Sequence, residues 1–410
     1  MNNLKLLIQK ENLTVLGSII KINRINQNMS QQALSEGICV PSYLSKIENG
    51  EVVPSLEMIR LIFQELHIEY TDEYHFVKDN KDKLVSFFEE LNLNGFIKSR
   101  EIYKSLESNE NKLIHSPLII DYYIAKLAFY CGTNHQDRFQ KAKKTIQSVE
   151  GLLNKVQKHR YFFYEAINLL VKEKDLIRAK EKLERAKESM ESGHLYYFLA
   201  NVDFKLGSYY GAVIYAEKAL SFYLEEVNII CVSLIHQFQG LLIYQLGSKD
   251  LYEAYFEKAI LYAQKINRNE ILITTLTLFL YIQIKEKKEN ATTLFNHIKT
   301  LFNTDQTLSE YSSLIQILTY LYRNEFDASI QVESVVFVDK YYQYLYGIFE
   351  LINANEVISK EKIDEVKNRY DLEGHQNLLN DLMIEDIWNY FIESNRFYKQ
   401  GYLKLKNNRL

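Results

Sequence analysis

Apolar side chains recur from Leu13 to Leu66 at three- and four-residue spacing, the period of helices that bury one face. Leu13, Leu16, Ile19, Ile20 and Ile22 set a first stripe on a helix that also carries Lys21 and Arg24. Leu34 marks a short second helix, with Ser30 as its N-cap and Gly37 as its stop. Pro41 opens a third, where its missing N–H costs nothing, and Leu44 and Ile47 give that helix an inner face before Asn49-Gly50 ends it. Pro54-Ser55 starts a fourth with Leu56, Ile59, Ile62, Phe63 and Leu66 inward. Helices this short stand only by packing on one another. That packing leaves Pro41, Ser42, Tyr43 and Lys46 pointing outward from the start of the third helix, an end that fits the major groove of duplex DNA.

From Lys81 onward the pattern repeats on a larger scale. Ala179 and Ala186 recur 33 residues later as Ala212 and Ala219, and the upstream helix carries matching pairs: Phe163 and Tyr196, Tyr164 and Tyr197, Asn168 and Asn201, Lys172 and Lys205. In a third copy Gly247 and Ala259 are spaced as Gly207 and Ala219 are. The alanines let paired helices approach closely and the aromatics fill the gaps between pairs. Weaker copies surround Phe139 with Ala142, and Ala291, while the segments Asn92 to Leu106, Tyr311 to Val335 and Tyr341 to Tyr370 read as degenerate pairs. Thr71 to Asn80 is charged without a clear period and reads as a linker. The end, with Trp388, Tyr390, Phe391, Phe397 and Tyr398, reads as a cap or a dimer seam.

Composition sharpens the fold class. Pro41, Pro54 and Pro117 are the only prolines among 410 residues and glycine numbers 14, so few breakers interrupt a nearly all-helical chain. A net charge of −4 argues against a general nucleic-acid coat or a polybasic membrane surface, so any DNA contact is local. Cys39, Cys131 and Cys231 are odd in number and far apart, which suits neither a disulfide framework nor a zinc site. No stretch reads as a signal peptide or a bilayer span. The sequence has no phosphate-binding glycine loop, no paired His or Cys motif and no nucleophile elbow. The expectation is therefore no enzyme, no cofactor and no metal.

The string Ser30-Gln31-x-x-Leu34-Ser35-x-Gly37-Ile38-Cys39-x-x-Ser42-x-Leu44-Ser45-Lys46-Ile47-Glu48-Asn49-Gly50, followed by Pro54-Ser55, resembles the helix-turn-helix of the Cro/C1-type repressors. Within them it is most similar to the Rgg/PlcR branch, the RRNPP type of peptide-responsive regulator. One departure is charge: from Leu13 to Leu66, Lys21, Arg24, Lys46 and Arg60 face Glu36, Glu48, Glu51, Glu57 and Glu65. A slightly acidic head binds phosphates weakly as a single copy, and two copies held together bind far better.

The later segments resemble the tetratricopeptide repeat, with Tyr196, Leu199, Ala200, Gly207, Tyr209, Ala212 and Ala219 at its signature places. In a solenoid of such pairs the first helices line a concave channel. Asn168 and Asn201, with Lys172 and Lys205, then face that channel, and Tyr164, Tyr197, Gln237, Tyr244 and Gln245 are neighbours by register. An Asn amide donates to and accepts from a peptide backbone at once, and a lysine suits its carboxylate. The alternative is that these polar residues are simply solvated on an inner wall.

The resemblance implies an all-α fold: a helix-turn-helix domain over residues 1–70, a linker over 71–80, a right-handed α-solenoid over 81–377 and capping or dimerisation helices over 378–410. It implies a cytoplasmic homodimer that binds double-stranded operator DNA and is switched by a short signalling peptide, with no membrane partner. Gln31, Ser42, Tyr43 and Lys46 would contact DNA, with Lys21 and Arg24 on phosphates. Two alternatives stand beside it: an adaptor that sequesters a protein such as a response regulator, and a ligand-independent repressor of a mobile element.

Overall fold

The short front helices form where the apolar spacing sets them: α1 (Leu13–Asn26), α2 (Gln31–Ser35), α3 (Pro41–Glu48) and α4 (Leu56–Glu65). The structure is a computed structural model that describes residues 7–93, 96–131, 135–248, 251–331, 337–373 and 377–396, and every regular element among them is helical. Ser30 and Ser55 accept from the amides of Ala33 and Met58, which satisfies one otherwise unpaired donor at each helix start. Leu16, Ile19, Ile20, Leu34, Leu44 and Ile62 are fully buried. The closest approach lies at Gly17, where a Cβ would fall 2.6 Å from the carbonyl oxygen of Glu48 and 2.8 Å from that of Ile47. Only glycine lets α1 lie this near the end of α3.

Glu48 itself is 0% exposed. Arg24 donates to its Oε1 from Nε at 2.6 Å and to its Oε2 from Nη2 at 3.0 Å, and Gln31 Nε2 donates to Oε2 at 2.7 Å. One carboxylate thus ties α1, α2 and α3 together.

The chain divides into two compact units, Met1–Leu195 and Tyr196–Leu410. In the first, the front helices pack with α5 (Tyr74–Asn92), α6 (Phe96–Glu107), the single turn α7 (Glu110–Leu113), α8 (Ile119–Cys131), α9 (Gln136–Ser148), α10 (Lys155–Asn168) and α11 (Leu176–Ser189). The expected linker over 71–80 is mostly helix, since α5 begins at Tyr74. Its buried stripe of Leu84, Phe87 and Phe88 lies downstream of the charged run that hides the period. Three hydrogen bonds fasten the head: Asn23 Nδ2 to the Ile114 carbonyl at 3.1 Å, Asn26 Nδ2 to the Tyr123 hydroxyl at 2.8 Å, and the Thr71 amide to the His115 carbonyl at 2.9 Å. Farther on, Glu165 of α10 is 3% exposed and lies 2.8 Å from both Lys143 Nζ of α9 and Lys182 Nζ of α11. After Asn168 the helix widens into a π-helical stretch, Leu169–Glu173, and leaves through Lys174 at φ 57°.

The second unit continues with α12 (Gly193–Lys205), α13 (Tyr209–Glu225), α14 (Ile229–Gln245), α15 (Tyr252–Lys265), α16 (Asn269–Lys285) and α17 (Asn290–Thr304). Its remaining elements among the described residues are α18 (Ser312–Glu325), α19 (Lys340–Asn353), α20 (Lys360–Glu373) and α21 (Leu378–Asn395). Ala200, Ala212, Ala219, Ala259 and Ala291 are all fully buried, as close helix pairing requires. At Gly240 of α14 a Cβ would lie 2.9 Å from the Phe256 ring of α15. That ring stacks on Phe279 of α16 with centroids 4.8 Å apart, continuing one core from pair to pair. The last helix is part of this core through Leu379, Leu382, Met383, Ile387 and Phe391. Phe397 and Tyr398 lie outside the described residues.

Two outcomes are expected. Glu48→Ala strands the Arg24 guanidinium in the head interior and should cost about 3–5 kcal/mol, read by thermal melting; an unchanged melt would mean that the carboxylate is replaceable. The second concerns His194, whose imidazole burial pushes down from 6.5 to about 4, against a backbone hydrogen bond with Asn92 that acts the other way. The unfolded chain binds a proton that the folded chain refuses in that window, so this contribution is complete above pH 6.5 and lost progressively as the pH falls to about 4. The melting temperature should drop by roughly 3 °C or more from pH 7 to pH 5, and His194→Gln should flatten that drop in scanning calorimetry.

Candidate functional site

The start of α3 is presented to solvent. Pro41, Ser42 and Lys46 are exposed, and Tyr43 is half-buried with its hydroxyl 3.5 Å from the Val53 carbonyl. Val40 is the N-cap residue and offers no side-chain cap, so the first amides of α3 receive no side-chain acceptor from it. Lys21 Nζ donates to Asn49 Oδ1 at 3.4 Å, which places an ammonium beside the other end of the helix.

Two expectations for this face are corrected. Arg24 cannot serve a phosphate as it stands: its guanidinium is bound to buried Glu48 and its Nη1 also donates to the Met29 carbonyl at 2.8 Å. Its side chain is only 11% exposed. Gln31 has its amide nitrogen committed to the same carboxylate, so it braces α3 from α2. Sequence reading counted Glu48 only in the charge balance of the head and missed its role. The signal was present, because Glu48 follows Leu44 by four residues and continues the inward stripe of Leu44 and Ile47.

In the first unit, Tyr164 is 8% exposed and packs its ring on Phe88 and Phe163, and burial holds its hydroxyl in the neutral form. Asn168 is 1% exposed, with Nδ2 3.4 Å from Glu173 Oε1 and a buried Oδ1 without a hydrogen-bond partner. It does not stand on an open wall, which corrects the expectation drawn from its repeat position. The reason is local, since α10 continues into the π-helical stretch while the matching helix α12 leaves through Gly207 at φ 73°. Lys172 lies half-buried in the widened stretch, where its charge bears on buried Cys131. Residues the repeat register did not single out share this part of the unit: Arg160 sits 3.8 Å over the Phe88 ring, and Gln157 donates to Asp121 at 3.2 Å. Burial raises the Asp121 carboxyl above its ordinary range, against Gln157 and Arg160, which lower it.

In the second unit, Tyr197 and Asn201 lie one turn apart on α12, both half-buried, and Asn201 Nδ2 donates to the Tyr197 carbonyl at 3.2 Å. Lys205, one turn further, is 3.2 Å from Asp381 of α21. The chain therefore already supplies the carboxylate that this lysine was expected to take from a ligand. On α14, Gln237 is 8% exposed, while Tyr244 and Gln245 are half-buried and border a cleft of about 240 Å³. The Tyr244 hydroxyl donates to Glu286 at 3.1 Å. Among the described residues no group of three His, Cys, Asp or Glu side chains is arranged to hold a metal ion, and no helix is long and apolar enough to cross a membrane.

Comparison with known proteins adds to this geometry. The helix-turn-helix family matches residues 20–72, which contain the second half of α1 and all of α2, α3 and α4. The chain is 27% identical over 262 residues to the transcriptional activator NprA of Geobacillus stearothermophilus, covering 59% of this chain. It spans 61% of the length of that curated relative. Among solved structures, a Rap protein complexed with competence and sporulation factor is 12% identical with a TM-score of 0.53, covering 81% of this chain and 98% of that one. PlcR of Bacillus thuringiensis, in complex with the peptide PapR7 and DNA, is 18% identical with a TM-score of 0.36, covering 62% of this chain and 95% of that one. The likeness to the Rap protein is one of fold, an all-helical array of paired helices. Residues 20–72 match the helix-turn-helix family, and the resemblance to the Rgg/PlcR type of regulator that those residues carry is borne out.

Proposed function

We propose that this chain is a cytoplasmic, dimeric transcription regulator that reads operator DNA with α3 and is switched by a short peptide held on its repeat helices. The observation that carries the DNA half is the exposed start of α3, with Ser42 and Lys46 outward, inside a matched helix-turn-helix domain. The name of the NprA relative, a transcriptional activator, supports regulation of transcription. On this reading Ser42 and Tyr43 meet base edges, and Lys46 and Lys21 meet the backbone on either side. The paired Arg24 and Glu48 cancel, leaving Lys21, Lys46 and Arg60 against Glu36, Glu51, Glu57 and Glu65 in the head. Affinity from one copy is accordingly low, and a dimer supplies the remainder.

The peptide half rests on the repeat fold and on buried and half-buried amides and phenols of the second unit. Tyr197, Asn201, Gln237, Tyr244 and Gln245 offer donors and acceptors beside apolar rings, the chemistry that holds an extended backbone. A peptide acts on DNA binding only through unequal affinity for two arrangements of the protein.

In a gel shift on DNA upstream of the gene, Ser42→Ala and Lys46→Ala should each weaken binding about tenfold with an unchanged melt. Lys46→Ala should also lower the slope of log affinity against log salt by about 1. Unchanged binding for both would remove α3 from the interface. Synthetic fragments of small secreted precursors encoded beside the gene should shift the DNA complex, and Asn201→Ala should weaken such a peptide by about fivefold in calorimetry. A regulator indifferent to every fragment would retain the DNA half of the reading alone.

A further inference from the structure

The slightly acidic head shares its compact unit with a strongly basic stretch. From Gln136 to Arg160 the chain carries seven lysines and arginines against two acids, Asp137 and Glu150, in a protein whose net charge is −4. This stretch forms α9, the 3-10 turn Glu150–Leu152 and the first turns of α10. Both α9 and the 3-10 turn pack against α1 of the head. The basic stretch is therefore a ledge built onto the domain that carries α3.

The cations of the ledge divide by what they meet. Lys143 lies 2.8 Å from buried Glu165, Arg138 donates to the Tyr130 hydroxyl at 3.0 Å, and Arg160 sits over the Phe88 ring. These three tie the ledge to its own unit, and Lys158 is half-buried. Lys141, Lys144 and Lys155 are exposed and take part in no ion pair or hydrogen bond among the described residues. Lys141 and Lys144 share one face of α9, opposite the buried Phe139, Ala142 and Ile146. Lys155 is the first residue of α10, where the helix macrodipole disfavours a cation, so helix stability does not account for it. Of the two acids, Glu150 is matched by Arg185 Nη2 at 2.8 Å, and exposed Asp137, one turn before Lys141, offsets part of the charge.

We propose that Lys141, Lys144 and Lys155 contact the sugar–phosphate backbone of the DNA that α3 reads, so that the ledge adds, in each copy, phosphate contacts that the head lacks. This deepens the DNA reading and rests on it. Phosphate contacts supply much of the affinity of protein–DNA complexes and carry no sequence information, so they can come from cations outside the reading helix. Exposed lysines suit the task, because a compact charge on a flexible stem reaches a phosphate without a fixed geometry. The packing of the ledge on α1 favours duplex DNA over an acidic protein as its occupant.

The test uses the full-length chain and two duplexes of equal length, one from upstream of the gene and one of unrelated sequence, titrated by fluorescence anisotropy from low to physiological salt. Lys141→Gln, Lys144→Gln and Lys155→Gln together should lower the slope of log affinity against log salt by about 2 to 3 and weaken binding about tenfold or more at low salt, equally on both duplexes. Lys141→Arg, Lys144→Arg and Lys155→Arg together should keep the wild-type slope, and both triple variants should melt as the wild type does. A slope that the glutamine variant leaves unmoved, or a loss on one duplex alone, would overturn the assignment. If poly-L-glutamate binds through the same three lysines while DNA affinity stays at the wild-type value, the ledge serves an acidic protein and the proposal falls. The two readings fail separately, because Ser42→Ala acts on the preference for the upstream duplex, which the ledge variants leave intact. A wild-type chain that binds neither duplex removes both.

Discussion

How near two helix backbones come to one another governs what this chain can build. In the head that distance is set at Gly17, where any side chain would collide with the end of α3. In the repeats it is set at Ala200, Ala212, Ala219 and Ala259, and at Gly240 against the face of Phe256. Dispersion between packed atoms fades within a fraction of an ångström, so small residues at crossings let the aromatic rings beside them make full contact. Close approach in the head has a second effect. It brings Glu48 within reach of Arg24 and Gln31, so that packing and charge pairing hold the same three helices.

The fold was legible because its signals are periodic. Caps at Ser30 and Ser55, the turn at Gly37 and the alanines at 33-residue spacing all state local requirements that the sequence displays directly. The boundary after the head was not, because the charged run from Thr71 to Asn80 masks a helix whose apolar stripe lies further along. Repeat position placed Tyr196 and Ala219 in the core correctly and misjudged Asn168. Equivalent positions share surroundings only while their helices end alike, and α10 ends in a π-helical stretch that α12 lacks.

Polar residues were harder to read than apolar ones for a physical reason. An apolar side chain states its own destination, whereas a charged one goes where its partner is. Arg24, Glu165, Lys205 and Lys285 all meet opposite charges, some from helices distant in sequence. Taking one partner away leaves the other charge stranded, which makes such pairs determinants of arrangement even where their net contribution to stability is small.

The three hydrogen bonds from Asn23, Asn26 and Thr71 to the segment around α8 bear on geometry at a larger scale. A head tied at three points to its neighbouring helices is oriented by them. If two copies pair as proposed, the gap between their α3 helices then follows the helices that carry each head, much as the jaws of a calliper follow its beam. DNA half-sites recur in phase only about every 34–36 Å along the duplex. A dimer of the proposed kind would then meet only sites whose half-sites are in phase with that gap.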